Sequence, residues 1–161
     1  MPGSDCIYNY FKIHKSINSG EYVKTYLKEL DYVVPERQGV LNITADVREC
    51  LKASGVQEGL CLVNSMNVTS GIFVNDDDAD LHAKIFEWLN ELAPHDPERR
   101  INPKNPDAAF LDTHLKRILM GRDTVIAVVK GNLVLGTWEQ ILYFEFDGKR
   151  RKHVLVRIIG E

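Results

Sequence analysis

Residues 140–159 read QILYFEFDGKRRKHVLVRII, and the way this stretch divides decides the fold. Gln140–Phe146 and His153–Ile159 are rich in β-branched and aromatic residues, the composition of strands. Asp147-Gly148 between them is a pair that tolerates the backbone angles of a tight turn, so the sequence predicts a hairpin here. Four cations, Lys149, Arg150, Arg151 and Lys152, cluster at its tip. The plainer reading of the cluster is a solvated turn whose charges deter edge pairing; the functional one is a contact for an anion or phosphate. Upstream, Thr124–Val129 and Leu133–Leu135 flank Lys130-Gly131-Asn132, and the last forty residues together read as a β-meander.

Working outward, Asn105-Pro106 predicts the start of a helix with Leu111, Leu115, Ile118 and Leu119 facing inward, ending at Gly121. The segment from Pro94 to Pro106 holds four of the six prolines together with His95, Arg99, Arg100 and Lys104, and reads as a long irregular connection. An earlier helix carries Leu81, Ile85, Trp88, Leu89 and Leu92 on one stripe and stops at Pro94. Asp76, Asp77 and Asp78 precede it. Carboxylates there complement the positive end of the helix dipole, and the glycine and terminal glutamate of an EF-hand loop are missing, so the triplet is read as a helix start rather than a metal loop. Leu60–Asn64 and Ile72–Asn75 read as strands. Thr44 is placed as the N-cap of a helix with Val47, Cys50 and Leu51 inward and Gly55 as its stop. Ile7–His14 and Glu21–Leu30, around Asn18-Ser19-Gly20, and the short Val40–Ile43 complete the strands. This order lacks the regular βαβ alternation of a parallel sheet. It predicts one α+β domain over 1–161, a mainly antiparallel sheet or sandwich with about three helices.

Composition narrows the function classes. Twenty basic and 23 acidic side chains give a net charge of −3, which offers no whole-domain attraction to nucleic acid or an anionic membrane. No apolar run reaches the ~18–20 residues of a membrane span. The first residues, MPGSDCIYNYFKIHKS, lack the basic-then-apolar layout of a secretory signal, so a cytoplasmic protein is expected. Cys6, Cys50 and Cys61 match no zinc or redox spacing, and Cys50 and Cys61 read as core thiols. The glycine-rich phosphate loops, the nucleophile-elbow serine and the paired-histidine zinc helix are all absent. Of the five histidines no two sit at local metal spacing; His114, between Asp112 and Lys116 on the last helix, stands out.

Several separated motifs then occur in a fixed order. They are Asn67-Val68-Thr69-Ser70-Gly71 through Val74-Asn75, and Asp112-Thr113-His114-Leu115-Lys116 followed by Met120-Gly121. Next come Gly136-Thr137-Trp138-Glu139-Gln140-Ile141, Glu145 with Asp147-Gly148, and Val154–Gly160. Over 59–161 this series resembles the YjbQ family, and Ile43-Thr44 with Ser54-Gly55 extend the likeness forward. The resemblance implies an α+β fold, a homotrimer, and a pocket for a small phosphorylated ligand. It also implies a weak thiamine-phosphate synthase activity, which joins a pyrimidine diphosphate to a thiazole phosphate and releases pyrophosphate. Such chemistry needs positive charge around the leaving group, for which Lys116, Arg150 and Arg151 are candidates, with Thr69 and Ser70 as neutral donors. His114 and Glu139 are the catalytic candidates; Asn67, Asn75, Thr137 and Trp138 complete the candidate ligand-binding set. The alternative is a non-catalytic binding or assembly module that keeps the fold. The departures bear on this choice. The family pattern has a histidine where this chain has Asn67, and a second whose best match is Asn102. His114 alone persists as a zinc ligand, and two amides are weak replacements, so a degenerate metal site is expected.

Overall fold

The computed structural model describes residues 12–15, 22–105 and 108–161, and in it the two strands flanking Asp147-Gly148 lie in different sheets. β1 (Lys12–Lys15), β2 (Tyr22–Val33), β9 (Arg151–Gly160), β4 (Gly59–Ser65), β6 (Asp123–Val129) and β7 (Asn132–Leu133) form a six-stranded sheet in that order. β3 (Gly39–Asn42), β8 (Gln140–Glu145) and β5 (Ser70–Asn75) form a three-stranded one, and every pairing in both is antiparallel. Three helices, α1 (Thr44–Ser54), α2 (Ala79–Leu92) and α3 (Leu111–Met120), complete an α+β architecture.

The expected hairpin and the four-stranded meander are therefore corrected, and burial supplies the reason. β8 has no polar face. Ile141 and Tyr143 are sealed into a core with Val154, Val156 and Ile158 of β9, whereas Leu142, Phe144 and Phe146 join Leu89 of α2 in a second core. A strand buried on both sides belongs in a middle layer. β9 alternates, with Val154, Val156 and Ile158 inward and the residues between them at least partly exposed, so it needs only one covered face. The chain turns a corner between layers instead of folding back. At that corner a Cβ on Gly148 would meet the Glu36 carbonyl oxygen at 2.0 Å. Glycine lets the turn press onto the 34–37 segment, where Gly148 N donates to Arg37 O (2.9 Å) and Lys149 N to Val34 O (2.7 Å). The tight hairpin occurs instead between β6 and β7, where Lys130 (φ 50°) and Gly131 (φ 70°) take the two left-handed positions.

The helix ends and faces also differ in part from expectation. α1 starts at Thr44, but Ile43 occupies its N-cap; Asn42 Oδ1 accepts from Thr44 N (3.0 Å), and Thr44 Oγ1 accepts from Ile141 N (2.8 Å). Thr44 thus ties helix to sheet. Gly55 ends the helix at φ 66°, as read from the sequence. Asp78 caps α2 by accepting from Leu81 N (2.8 Å). Leu89 is buried on α2, with Ile85 and Phe86 packed beside it, while Trp88 and Leu92 are exposed. α3 begins at Leu111, later than the 105–106 start, and Pro106 lies outside the described residues. Its faces are inverted. Asp112, Thr113 and Lys116 are buried, whereas Leu115, Ile118 and Leu119 are 41%, 69% and 53% exposed. Ion pairing, described below, holds the polar side inward. Cys50 and Cys61 are buried free thiols, and burial pushes Cys61 up to about 12. Cys6, the Asn18-Ser19-Gly20 turn and the opening of the Ile7–His14 strand lie outside the described residues. Among the described residues no helix is long and apolar enough to cross a membrane.

Candidate functional site

The end of β8 places a carboxylate where the strand leaves the core. Glu145 is fully buried and its acceptors are filled. Thr69 Oγ1 donates to Oε1 (3.0 Å), as do the backbone N–H groups of Phe146 (3.1 Å) and Asp147 (2.9 Å), and Tyr143 Oη donates to Oε2. Lys152 Nζ stands 3.3 Å from Oε1 and donates to Thr69 Oγ1 (2.8 Å). Burial, reinforced by Glu145, holds the Tyr143 hydroxyl far above its usual range, so it stays a donor. Ser70 lies beside this network, its hydroxyl 2.6 Å from that of Ser65. A buried charge with its partners and hydrogen bonds in place is a fixed element, and this one holds Thr69 and Lys152 in the lining of a cleft.

The cleft has a volume of about 400 Å³ and opens between the 66–69 turn and the 147–152 corner. Asn67, Thr69, Arg150, Arg151 and Lys152 line it with Asp147. Asn67 Nδ2 donates to the His153 carbonyl (3.1 Å), which also accepts from Met66 N (3.0 Å), fixing the turn to β9. Asp147 pairs with Arg150 and Glu145 with Lys152. Arg151, 71% exposed, has Asp31 at 3.6 Å on the opposite side. The rim therefore keeps an exposed guanidinium beside Asn67 and Thr69.

A second polar cluster anchors the connection before α3. Asp112 accepts from Arg37 Nη2 (2.8 Å) and Lys116 Nζ (2.8 Å), with His95 Nδ1 at 3.2 Å. Phe110 stacks under Arg100, whose guanidinium lies 4.1 Å from the ring centre, and meets His95 edge-on. Burial would raise the Asp112 carboxyl, but hydrogen bonds from Lys116, Arg37 and His95, with the Lys116 charge, outweigh it and hold the group below its usual range. The knot joins Arg37, His95 and Phe110 to α3.

A profile of the family described as "UPF0047 protein YjbQ-like" matches residues 28–161. The chain belongs to the YjbQ family. A UPF0047 protein of Methanothermobacter thermautotrophicus is 31% identical over 142 residues, covering 88% of this chain and 97% of that protein. The crystal structure of a YbjQ-like protein of unknown function from Sulfolobus solfataricus superposes with a TM-score of 0.78 at 28% identity, over 86% of this chain and 99% of that one. A hypothetical protein from Aeropyrum pernix has a TM-score of 0.75 at 32% identity, over 84% and 98% of the two chains.

Against the YjbQ pattern, the candidate residues fall in several places. Asn67, Thr69, Arg150 and Arg151 meet at the cleft, from segments some eighty positions apart. Ser70 is buried beneath it. Lys116 is sealed against Asp112. Asn75 lies exposed at the far end of β5, accepting from Asp76 N (2.9 Å). Glu139 closes its own loop by accepting from Gly136 N (2.6 Å), with Thr137 and Trp138 exposed beside it. His114 is half-buried on α3 and makes no side-chain hydrogen bond to a described residue. The residues matching the family histidines do not fit zinc. The Asn67 amide nitrogen donates to a backbone carbonyl and Asn102 Oδ1 accepts from Lys104 N (3.1 Å), and an amide oxygen is a neutral, weak zinc ligand beside an imidazole. Glu145, Tyr143 and Arg37 escaped the sequence reading as site-building residues, and Lys152, read there as part of a cationic anion contact, is engaged by Glu145 and Thr69. Glu145 carried a signal, since a lone charge inside the apolar run ILYFEF must be paired wherever it is buried.

Proposed function

We propose that this YjbQ protein binds a small phosphorylated ligand in the cleft over Thr69, with Arg151 as the principal anion contact and Asn67 and Arg150 at its sides. The observation that carries this reading is the convergence of Asn67 and Thr69 with Arg150 and Arg151 on one cleft of about 400 Å³. Lys152 is engaged with Glu145 and Thr69 and serves to hold the floor, while Arg151 can leave a carboxylate 3.6 Å away for a phosphate that accepts two parallel hydrogen bonds. Calorimetric titration with pyrophosphate tests it. Arg151→Ala should weaken binding about tenfold or more without moving the melting temperature, because exposed arginine pairs add little stability. Equal affinity in wild type and variant would remove the assignment.

The second reading is a transfer reaction of the thiamine-phosphate synthase kind in a homotrimer. What supports it is the outward apolar face made by Leu92 of α2 with Leu115, Ile118 and Leu119 of α3, the same helix that carries His114. Copies associating through that face would place His114 at a subunit boundary, where a neighbour's cleft can meet it. Light scattering on the eluting protein separates the readings: a stable monomer leaves binding without transfer, and a trimer that releases pyrophosphate, with His114→Asn inactive, establishes catalysis.

A further inference from the structure

On the outer face of the six-stranded sheet, away from the core, three ligand-type side chains converge. Glu29 and Asp31 are two apart on β2 and share a face; His153 on β9 is the direct cross-strand partner of Asp31. One donor atom from each lies within 4.8 Å of the other two. His153 Nδ1 stands 2.7 Å from Asp31 Oδ1 and 2.9 Å from Glu29 Oε1. Two carboxylate oxygens thus crowd one ring nitrogen, which carries a single hydrogen at most and can satisfy only one of them well.

We propose that Glu29, Asp31 and His153 form a binding site for one divalent first-row metal ion, zinc being the best match. An imidazole nitrogen with two carboxylate oxygens is a donor set that such ions take, and water can complete the coordination because all three side chains are partly exposed. Ligands at ~2.0–2.2 Å from one ion lie ~3.0–3.5 Å apart, so the carboxylate oxygens now 2.7 and 2.9 Å from His153 Nδ1 need to draw back from it by at most ~0.8 Å. The ion would replace the proton at Nδ1 and bond both carboxylates at once. The backbone of His153 is already held, its carbonyl accepting from Asn67 Nδ2 and Met66 N. Arg151 is the opposing group, 3.6 Å from Asp31 Oδ2, and lowers the affinity of the site without occupying the oxygen that faces His153. This site is separate from the one that the family histidines would form, and it does not depend on phosphate binding.

The test uses the full chain without a histidine tag, titrated with zinc by calorimetry and with cobalt by visible absorption. One ion per chain is expected. Glu29→Gln, Asp31→Asn and His153→Gln should each weaken it about tenfold or more, and the cobalt band should lose its imidazole-dependent shift in His153→Gln. Arg151→Gln should tighten binding. All four positions are on the surface, and unchanged melting temperatures in the absence of metal confirm that the variants fold. Three results overturn the proposal: no saturable binding, binding undiminished in all three ligand variants, or binding lost in His114→Asn instead.

Discussion

Replacing Asp112 by alanine should expose how α3 is held. Lys116 is fully buried and Asp112 is 2% exposed, so solvent does not screen their 2.8 Å pair. Arg37 and His95, 30% and 35% exposed, can turn to water when the carboxylate is gone, but Lys116 cannot. The cost is that of one uncompensated buried charge, ~3–5 kcal/mol. For a chain of this size ~1 kcal/mol corresponds to ~2–4 °C, so the melting temperature should fall by roughly 6–20 °C. A cycle with Asp112→Leu and Lys116→Met removes both charges and should recover most of that loss, since an apolar pair of similar volume is about as stable. Urea denaturation of wild type, Asp112→Ala, the two single variants of the cycle and the double variant, followed by circular dichroism, measures each term. A loss below ~1 kcal/mol in Asp112→Ala, or a double variant as unstable as the sum of its singles, would refute the view that ion pairing turns the polar face of α3 inward.

The same carboxyl shapes the acid limb of stability. Its folded-state affinity for protons is depressed by Lys116, Arg37 and His95, so its contribution is fully present above the unfolded carboxyl value of ~3.9 and disappears as pH falls through the lower folded value. Urea midpoints measured downward from about pH 5 should drop more steeply in wild type than in Asp112→Asn. Tyr143→Phe removes the donor to the buried Glu145 Oε2 and should cost ~1–3 kcal/mol, with a smaller loss if Lys152 moves to compensate. Gly148→Ala drives a methyl group into the Glu36 carbonyl at 2.0 Å and should lower the denaturation midpoint by more than Gly131→Ala, whose Cβ meets the end of the Gln57 side chain and whose left-handed φ adds ~1–2 kcal/mol of strain. His114→Asn should leave pyrophosphate affinity within twofold in monomeric protein, because the imidazole does not line the cleft; a larger loss in a monomer contradicts the placement of the site.

What the sequence determined by itself is what depends on local chemistry and on ordered motifs. Gly55 stops α1 because its left-handed angle needs no neighbour to specify it, and Asp78 caps α2 through a bond three residues away. The family, and with it the α+β class, was legible in the separated motifs from Asn67 to Gly160, as the match over 28–161 shows. Tertiary structure decided the rest. A turn pair reports a reversal but not which sheet receives the next strand; the ILYF run made β8 a strand buried on both faces, and β9 went to the other layer. Periodicity placed Leu115, Ile118 and Leu119 inward because it weighs transfer free energies residue by residue. It cannot see Arg37 and His95, 75 and 17 positions away, supplying the hydrogen bonds that let Asp112 and Lys116 be buried instead. The cleft has the same origin: Thr69 and Arg151 are ordinary residues in their own segments, and the pairings of β4 with β9, Ser65 opposite Val154, and of β5 with β8, Ser70 opposite Glu145, bring the two segments together.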